Sequence, residues 1–394
     1  FWKFGESFDK AKFIGTANDS SNDYFIYDTR YSDVTFYGEL GFISNNLYIK
    51  NTGTWKEGKL IYESKTNISF VNEVIGNTLY IYSNENAPKG KILTADTKNP
   101  DYKNWKVLIP EKNSVIENFE ITKQNIITLE KRDLLNKLVL HSLEGEEIKI
   151  LDMPEFGNLA GFWYNREEDS LYVHIVSFTS PSKVFNASPK DFKWRLYYQE
   201  PEVVDMSNIT GELKYFKSKD GTKIPAFVIS KKDGVLDGNN PVMVTGYGGF
   251  NEGINISYYG FWSSFINRGG IVVEAGIRGG GEYGEEWHEA GMLGNKQNIF
   301  DDFISCTEWI INEKYSNPDR IVAHGGSNGG LLVGAVAVQR PDLYKAIICD
   351  SPLLDMLRYH KFLLGQSWVT EYGSSENEAD FRWLLRYSPY HNIR

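Results

Sequence analysis

A chain of 394 residues exceeds the roughly 250–300 at which one hydrophobic core stops growing, so two domains are expected. Its 41% hydrophobic and 24% charged residues are those of an ordinary globular protein, and a formal net charge of −10 argues against a nucleic-acid footprint, which needs a basic surface. The longest apolar runs, such as Leu331–Val338, fall well short of the ~20 residues that span a bilayer, and the two cysteines, Cys306 and Cys349, are too few for a disulfide framework and read as buried, inert thiols.

Up to about residue 205, short strands alternate with turn residues. Segments rich in β-branched and aromatic residues recur at Asn46–Lys50, Thr78–Tyr82, Ile126–Glu130 and Ser170–Val176. Their starts are 32, 48 and 44 residues apart. The last two intervals match the ~40–50 residues of a four-stranded propeller blade, whereas the first fits poorly. A long meandering sheet or a sandwich is the alternative for this half. From about Lys214 strands alternate with helical stretches, which predicts a mostly parallel α/β sheet with helices on both faces. Val242–Thr245, Ile271–Ala275, Ile321–His324 and Ala346–Cys349 are continuous apolar runs, as expected of strands covered on both faces. Asn298–Glu313 places Ile299, Phe303, Cys306 and Ile310 on one helical face, which reads as core. The pattern changes within Val203–Lys214, which assigns 1–205 to an all-β propeller-type domain and 206–394 to an α/β domain.

The strongest chemical signal is His324-Gly325-Gly326-Ser327-Asn328-Gly329-Gly330, which contains Gly-x-Ser-x-Gly. Such an elbow makes physical sense only between a strand and a helix, where glycines admit a strained turn that projects the serine. Both flanks are present: the strand Ile321–His324 leads in, and Asn328–Arg340 is a helical stretch ended by Pro341. The alternative is a glycine-rich turn with an ordinary capping serine. Acyl transfer also needs donors aimed at the developing oxyanion. The Asn328 amide is the first expected donor, and the loop Gly246–Phe250, after strand Val242–Thr245, is the place to look for a second. A literal dinucleotide fingerprint, Gly279-x-Gly281-x-x-Gly284, follows the strand Ile271–Ala275, but Glu282, Glu285 and Glu286 crowd the place of a pyrophosphate. The six histidines show no metal-ligand spacing. No cofactor and no metal is therefore expected.

Taken in order and spacing, Gly246-Tyr247-Gly248-Gly249-Phe250, Arg278-Gly279-Gly280-Gly281-Glu282-Tyr283-Gly284, Gly325–Gly330, Gln339-Arg340-Pro341-Asp342-Leu343 and Tyr387-Ser388-Pro389 resemble the prolyl oligopeptidase family of serine peptidases. The likeness is close from about Gly221 to Arg394 and looser through the strand-rich half. It implies an α/β-hydrolase domain capped by a seven-bladed propeller, both incomplete here, and cleavage of short peptides after proline. It further implies Ser327 as nucleophile, and Tyr247 as hydroxyl donor to the oxyanion beside the Asn328 amide. Trp368, in Gly365-Gln366-Ser367-Trp368, matches the indole that stacks on the substrate proline, and Phe250, Leu353 and Tyr372 match other walls of that pocket. Without the resemblance each of these aromatics reads as plain core. Aromatic faces suit the task, because a pyrrolidine ring offers no donor and is selected by shape and stacking.

The order of a hydrolase triad is serine, aspartate, histidine, and 67 residues follow Ser327. Asp350, Asp355, His360 and His391 are rough candidates for its partners, and none matches the triad positions that the resemblance implies. The expectation is a fragment whose aspartate and histidine lie beyond Arg394, with about four blades in the first 205 residues and the remaining piece of the same protein as a partner. A relative with dibasic or acylaminoacyl specificity, an esterase and a catalytically silent scaffold are the alternatives. The sequence begins at Phe1 with neither a basic n-region nor an apolar h-region, so a signal peptide, if one existed, is expected to be already gone, and the compartment stays open, the cytoplasm being favoured over the periplasm.

Overall fold

The computed structural model describes residues 22–393 except 30, 55 and 56, together with 7, 9, 16 and 17. Its first half contains four antiparallel sheets of four strands. They are β1–β4 (Asp23–Asp28, Val34–Leu40, Asn45–Asn51, Lys59–Ser64) and β5–β8 (Ser69–Ile75, Thr78–Ser83, Lys91–Asp96, Lys106–Ile109), followed by β9–β12 (Val115–Ile121, Ile126–Arg132, Leu135–His141, Glu147–Leu151) and β13–β16 (Asn158–Asn165, Ser170–Val176, Lys183–Ala187, Arg195–Gln199). Within each sheet the spatial order is the chain order, as in a propeller blade. Alternation builds each blade: in β6, Leu79, Ile81 and Ser83 are buried while Thr78, Tyr80 and Tyr82 are half-buried. Facing blades share cores. Phe36 and Leu47 pack with Leu79 and Ile81, Ile92 and Ile109 with Ile116 and Phe119, and Ile127 and Leu138 with Leu171 and Val173. Each such side chain contributes about 1.5–3 kcal/mol by leaving water.

All four expected strands form, and the poorly fitting 32-residue interval has a simple cause. Asn46–Lys50 lies in β3, the third strand of its sheet, whereas the other three lie in the second strands β6, β10 and β14. Measured between second strands, the starts Val34, Thr78, Ile126 and Ser170 are 44, 48 and 44 residues apart.

The second half is one six-stranded sheet, β17 (Ile209–Lys217), β18 (Lys223–Lys231), β19 (Val242–Gly246), β20 (Ile271–Ala275), β21 (Ile321–Gly326) and β22 (Ala346–Asp350), in the order β17-β18-β20-β19-β21-β22. β20, β19, β21 and β22 run parallel, and the antiparallel pair β17 and β18 closes one edge. The helices are α1 (Ser263–Asn267), α2 (Glu285–Glu289), α3 (Gln297–Asn312), α4 (Asn328–Gln339), α5 (Val369–Tyr372) and α6 (Glu378–Tyr387). On one face Val242 and Val244 meet α3 and α4, and Ile299, Phe303, Cys306 and Ile310 are fully buried there as their spacing predicts. On the other, Met243 and Val272 pack with Ile266 of α1 and with Leu134 and Phe178 from the blades, which joins the two halves.

Ala346–Cys349 forms β22, the last strand of this sheet within residues 1–394; Ile347 and Cys349 turn towards the core, and Ala346, Ile348 and Asp350 are exposed. Cys349 is accordingly half-buried, unlike Cys306, though burial still pushes its thiol up.

Candidate active site

Ser327 follows β21 and precedes α4, with φ 55° and ψ −118°. A side-chain-bearing residue enters this left-handed region at a cost of about 1–3 kcal/mol and stays only where its surroundings over-determine it. They do so here. The Ser327 N–H donates to the Asp350 carbonyl (2.9 Å), and the Ser327 carbonyl accepts from Gly330 and Leu331 (2.9 and 3.1 Å). The motif's glycines answer to close backbone approach: a Cβ on Gly325 would stand 2.1 Å from the Gly329 carbonyl oxygen, and one on Gly329 would stand 2.7 Å from that of Gly246. The serine side chain is exposed at the strand's end. Asn328, as the first residue of α4, presents an N–H with no intrahelical partner.

The buried Asn328 side chain fixes the loop after β19. Its Nδ2 donates to the Tyr247 carbonyl (2.5 Å), and its Oδ1 accepts from the Tyr372 hydroxyl (2.9 Å). The Tyr247 hydroxyl is pushed up by burial, an effect opposed by a side-chain hydrogen bond with Ser327. Phe250 sits at φ 57°, a second strained position in the same loop.

Tyr247, Phe250, Ser327, Leu353, Trp368 and Tyr372 all line one cavity of about 150 Å³. The sequence singled out each of them, and the fold brings them together from four separate segments, with Asn328 behind the cavity. The Phe250 and Tyr372 rings meet edge to face at 5.6 Å, Tyr372 is fully buried, and Trp368 is half-buried. Two further lining residues, Phe42 and Glu252, went unnoticed in the sequence. Phe42 comes from the turn between β2 and β3, and its ring lies 4.9 Å from that of Phe250. Glu252 lies two residues beyond Phe250, and that proximity was its only available signal.

None of the six histidines is hydrogen-bonded to Ser327. His141 pairs with Thr128 (3.1 Å), His174 with Ser182, and His288 with Glu285 and Glu371 (both 2.7 Å). His324 pairs with Asp350 (2.7 Å), His360 lies 3.6 Å from Glu376, and His391 pairs with Ser388 (2.9 Å). Asp355 is engaged by Arg358. Of the four rough candidates for triad partners, Asp350 and His391 are held by these local hydrogen bonds and Asp355 by its ion pair with Arg358, while both ring nitrogens of His360 are buried without a hydrogen-bond partner.

The glycines of the dinucleotide-like run are filled by protein backbone. A Cβ on Gly279 would approach the Gly248 carbonyl oxygen to 2.4 Å, on Gly281 that of Asn251 to 2.4 Å, and on Gly284 that of Pro88 to 2.6 Å. Arg278 anchors this segment through paired hydrogen bonds to buried Asp302 (2.9 and 2.6 Å) and one to Asp220 (2.6 Å). Among the described residues no group of three or more His, Cys, Asp or Glu side chains is arranged to hold a metal, and no helix is long and apolar enough to cross a membrane.

Four-stranded blades docked on a parallel sheet whose strand-to-helix elbow presents a serine define a propeller-bearing α/β hydrolase. The chain belongs to the prolyl oligopeptidase family. Residues 6–200 match the family's N-terminal beta-propeller domain and 258–394 match the prolyl oligopeptidase family proper. It is 34% identical over 373 residues to a prolyl endopeptidase of Dictyostelium discoideum, covering 89% of this chain and 49% of that protein. It is 32% identical over 355 residues to one from Elizabethkingia meningoseptica, with 89% and 50% covered. A solved prolyl endopeptidase structure superposes with a TM-score of 0.94 at 33% identity, covering all of this chain and 58% of that one. The chain thus spans about half the length of the curated relatives it matches.

Proposed function

We propose that the protein bearing this chain is a serine peptidase that hydrolyses short proline-containing peptides on the carboxyl side of proline. One observation carries the reading: Ser327, Tyr247 and Trp368 converge on a single aromatic-walled cavity. The family of the relatives, several named prolyl endopeptidases, supports the same assignment. The Ser327 hydroxyl attacks the scissile carbonyl, and its proton passes to a histidine base. The oxyanion is held by the Asn328 N–H and the Tyr247 hydroxyl, the amine leaves with the proton, and water resolves the acyl-enzyme. Trp368 stacks on the proline ring, with Phe250, Leu353 and Tyr372 closing the pocket.

No histidine of this chain is hydrogen-bonded to Ser327 and none matches the triad positions of the family, so on this reading the base and the aspartate that orients it come from the remaining part of the same protein. On this reading residues 1–205 belong to a seven-bladed propeller and 206–394 to the catalytic α/β domain. Dibasic or acylaminoacyl specificity would leave Trp368 without a ring to stack on, and an esterase or a silent scaffold would not cleave peptides at all. The test is a pair of peptide substrates, differing only in proline or alanine before the scissile bond, given to the full-length protein. Cleavage after proline with strong preference over alanine is expected. Preference for a basic residue, or no cleavage of either peptide, contradicts the assignment.

A further inference from the structure

Behind the cavity the fold closes a ring of contacts for which the acyl-transfer chemistry has no direct use. Lys296, just before α3, is fully buried. Its Nζ donates to Glu371 Oε1 (2.6 Å) and to the Gly248 carbonyl (3.2 Å), and it lies 5.0 Å from the centre of the Tyr372 ring. The other oxygen of Glu371 meets His288 Nε2 at 2.7 Å, and His288 Nδ1 meets Glu285 at 2.7 Å. Gly248 follows Tyr247 in the chain, and Tyr372 follows Glu371. Tyr372 bonds Asn328, and Asn328 bonds the Tyr247 carbonyl. The circuit therefore runs from the loop after β19 through Lys296 and Glu371 to the aromatic wall, and back through the elbow to the same loop.

Charged groups taken out of water incur a large penalty that good pairing only offsets, and an apolar replacement of equal volume is often as stable. Burial for stability alone is thus a weak account of three ionisable groups here. What they supply is direction: each charge-assisted hydrogen bond fixes an angle as well as a distance. A reacting group must be held within about 0.5 Å, and about 1 Å of misplacement costs up to 100-fold in rate. We infer that Lys296, Glu371 and His288 are positioning residues that keep Tyr247 and Tyr372 in register with Ser327, and that they act on acyl transfer through the Tyr247 hydroxyl. The inference rests on the proposed role of Tyr247 as an oxyanion donor.

A double-mutant cycle in the full-length protein tests it, with the rate of Ser327 acylation by a p-nitrophenyl ester, read as the burst of released p-nitrophenolate, as the readout. Lys296→Met is expected to slow acylation roughly 10- to 100-fold in the parent protein. In the Tyr247→Phe background, where the hydroxyl being positioned is gone, it should slow acylation by less than about threefold. A merely structural lysine would slow both proteins by the same factor. That result, or no slowing in the parent, overturns the inference. Should Lys296→Met fail to fold, Glu371→Gln removes the charge while keeping the shape and enters the same cycle with the same expectations. Failure of the underlying assignment looks different: Tyr247→Phe alone would leave acylation unchanged, or the reagent would not modify Ser327, and either result overturns the role of Tyr247 and the inference built on it.

Discussion

Ser327 and Tyr247 both line the cavity, one on a strained elbow and the other on a loop fixed by Asn328. Tyr247→Phe keeps the ring and deletes the hydroxyl, so kcat for prolyl peptides should fall by about 10²–10³ with little change in KM. A change confined to KM would mean that Tyr247 only contacts substrate. Trp368→Ala removes a large apolar face and its stacking, worth on the order of 1.5–3 kcal/mol, or roughly a 10- to 150-fold loss in kcat/KM for prolyl substrates. An unaltered prolyl-to-alanyl ratio in that variant contradicts the pocket assignment. Ser327 was legible because Gly325 and Gly329 stand where close backbone approach leaves no room for a side chain, whereas the roles of Tyr247 and Trp368 came from the family resemblance. Phe42 was not, since its contact with Phe250 joins a blade turn to a distant loop, and no local periodicity encodes such a pairing. The same holds for Lys296 and Glu371, which meet across 75 positions.

At the scale of elements, α2 and α5 are tied by His288 and Glu371. Burial by itself would lower the imidazole pKa, but the carboxylates of Glu285 and Glu371 outweigh it and raise the pKa from 6.5 to about 9. A group whose pKa is raised on folding stabilises most when protonated in both states. Its contribution is complete below pH 6.5 and is lost as the pH climbs through about 9, and it amounts to something on the order of 3 kcal/mol. Thermal unfolding of the full-length protein between pH 6.5 and 9.5 should therefore show a falling midpoint that flattens in His288→Gln; equal slopes in the two proteins would contradict this. In the sequence, element type was read better than element role. Continuous apolar runs located the parallel strands, Ala346–Cys349 among them, but composition reports hydrophobicity and not the order of strands within the sheet. The blade period was blurred for a similar reason: strands of different rank within a blade look alike locally.

For the whole molecule, the cavity is shared property of both halves. Phe42 brings a wall from the first blade, the Glu285 N–H donates to the Pro88 carbonyl (2.8 Å), and Lys131 reaches Asn255 (2.7 Å). The cavity thus takes one of its walls from the blades and the rest from the α/β half. On the proposed reading the nucleophile, the oxyanion donors and the proline pocket lie within this chain and the base comes from another part of the protein. Fluorophosphonate labelling of the full-length protein, with the adduct mapped by peptide mass, tests both halves of this statement at once. The adduct should sit on Ser327, vanish in Ser327→Ala, and form in His324→Ala, His360→Ala and His391→Ala within about threefold of the parent rate. An adduct on another residue, or labelling abolished by any one of those three histidine substitutions, would contradict it.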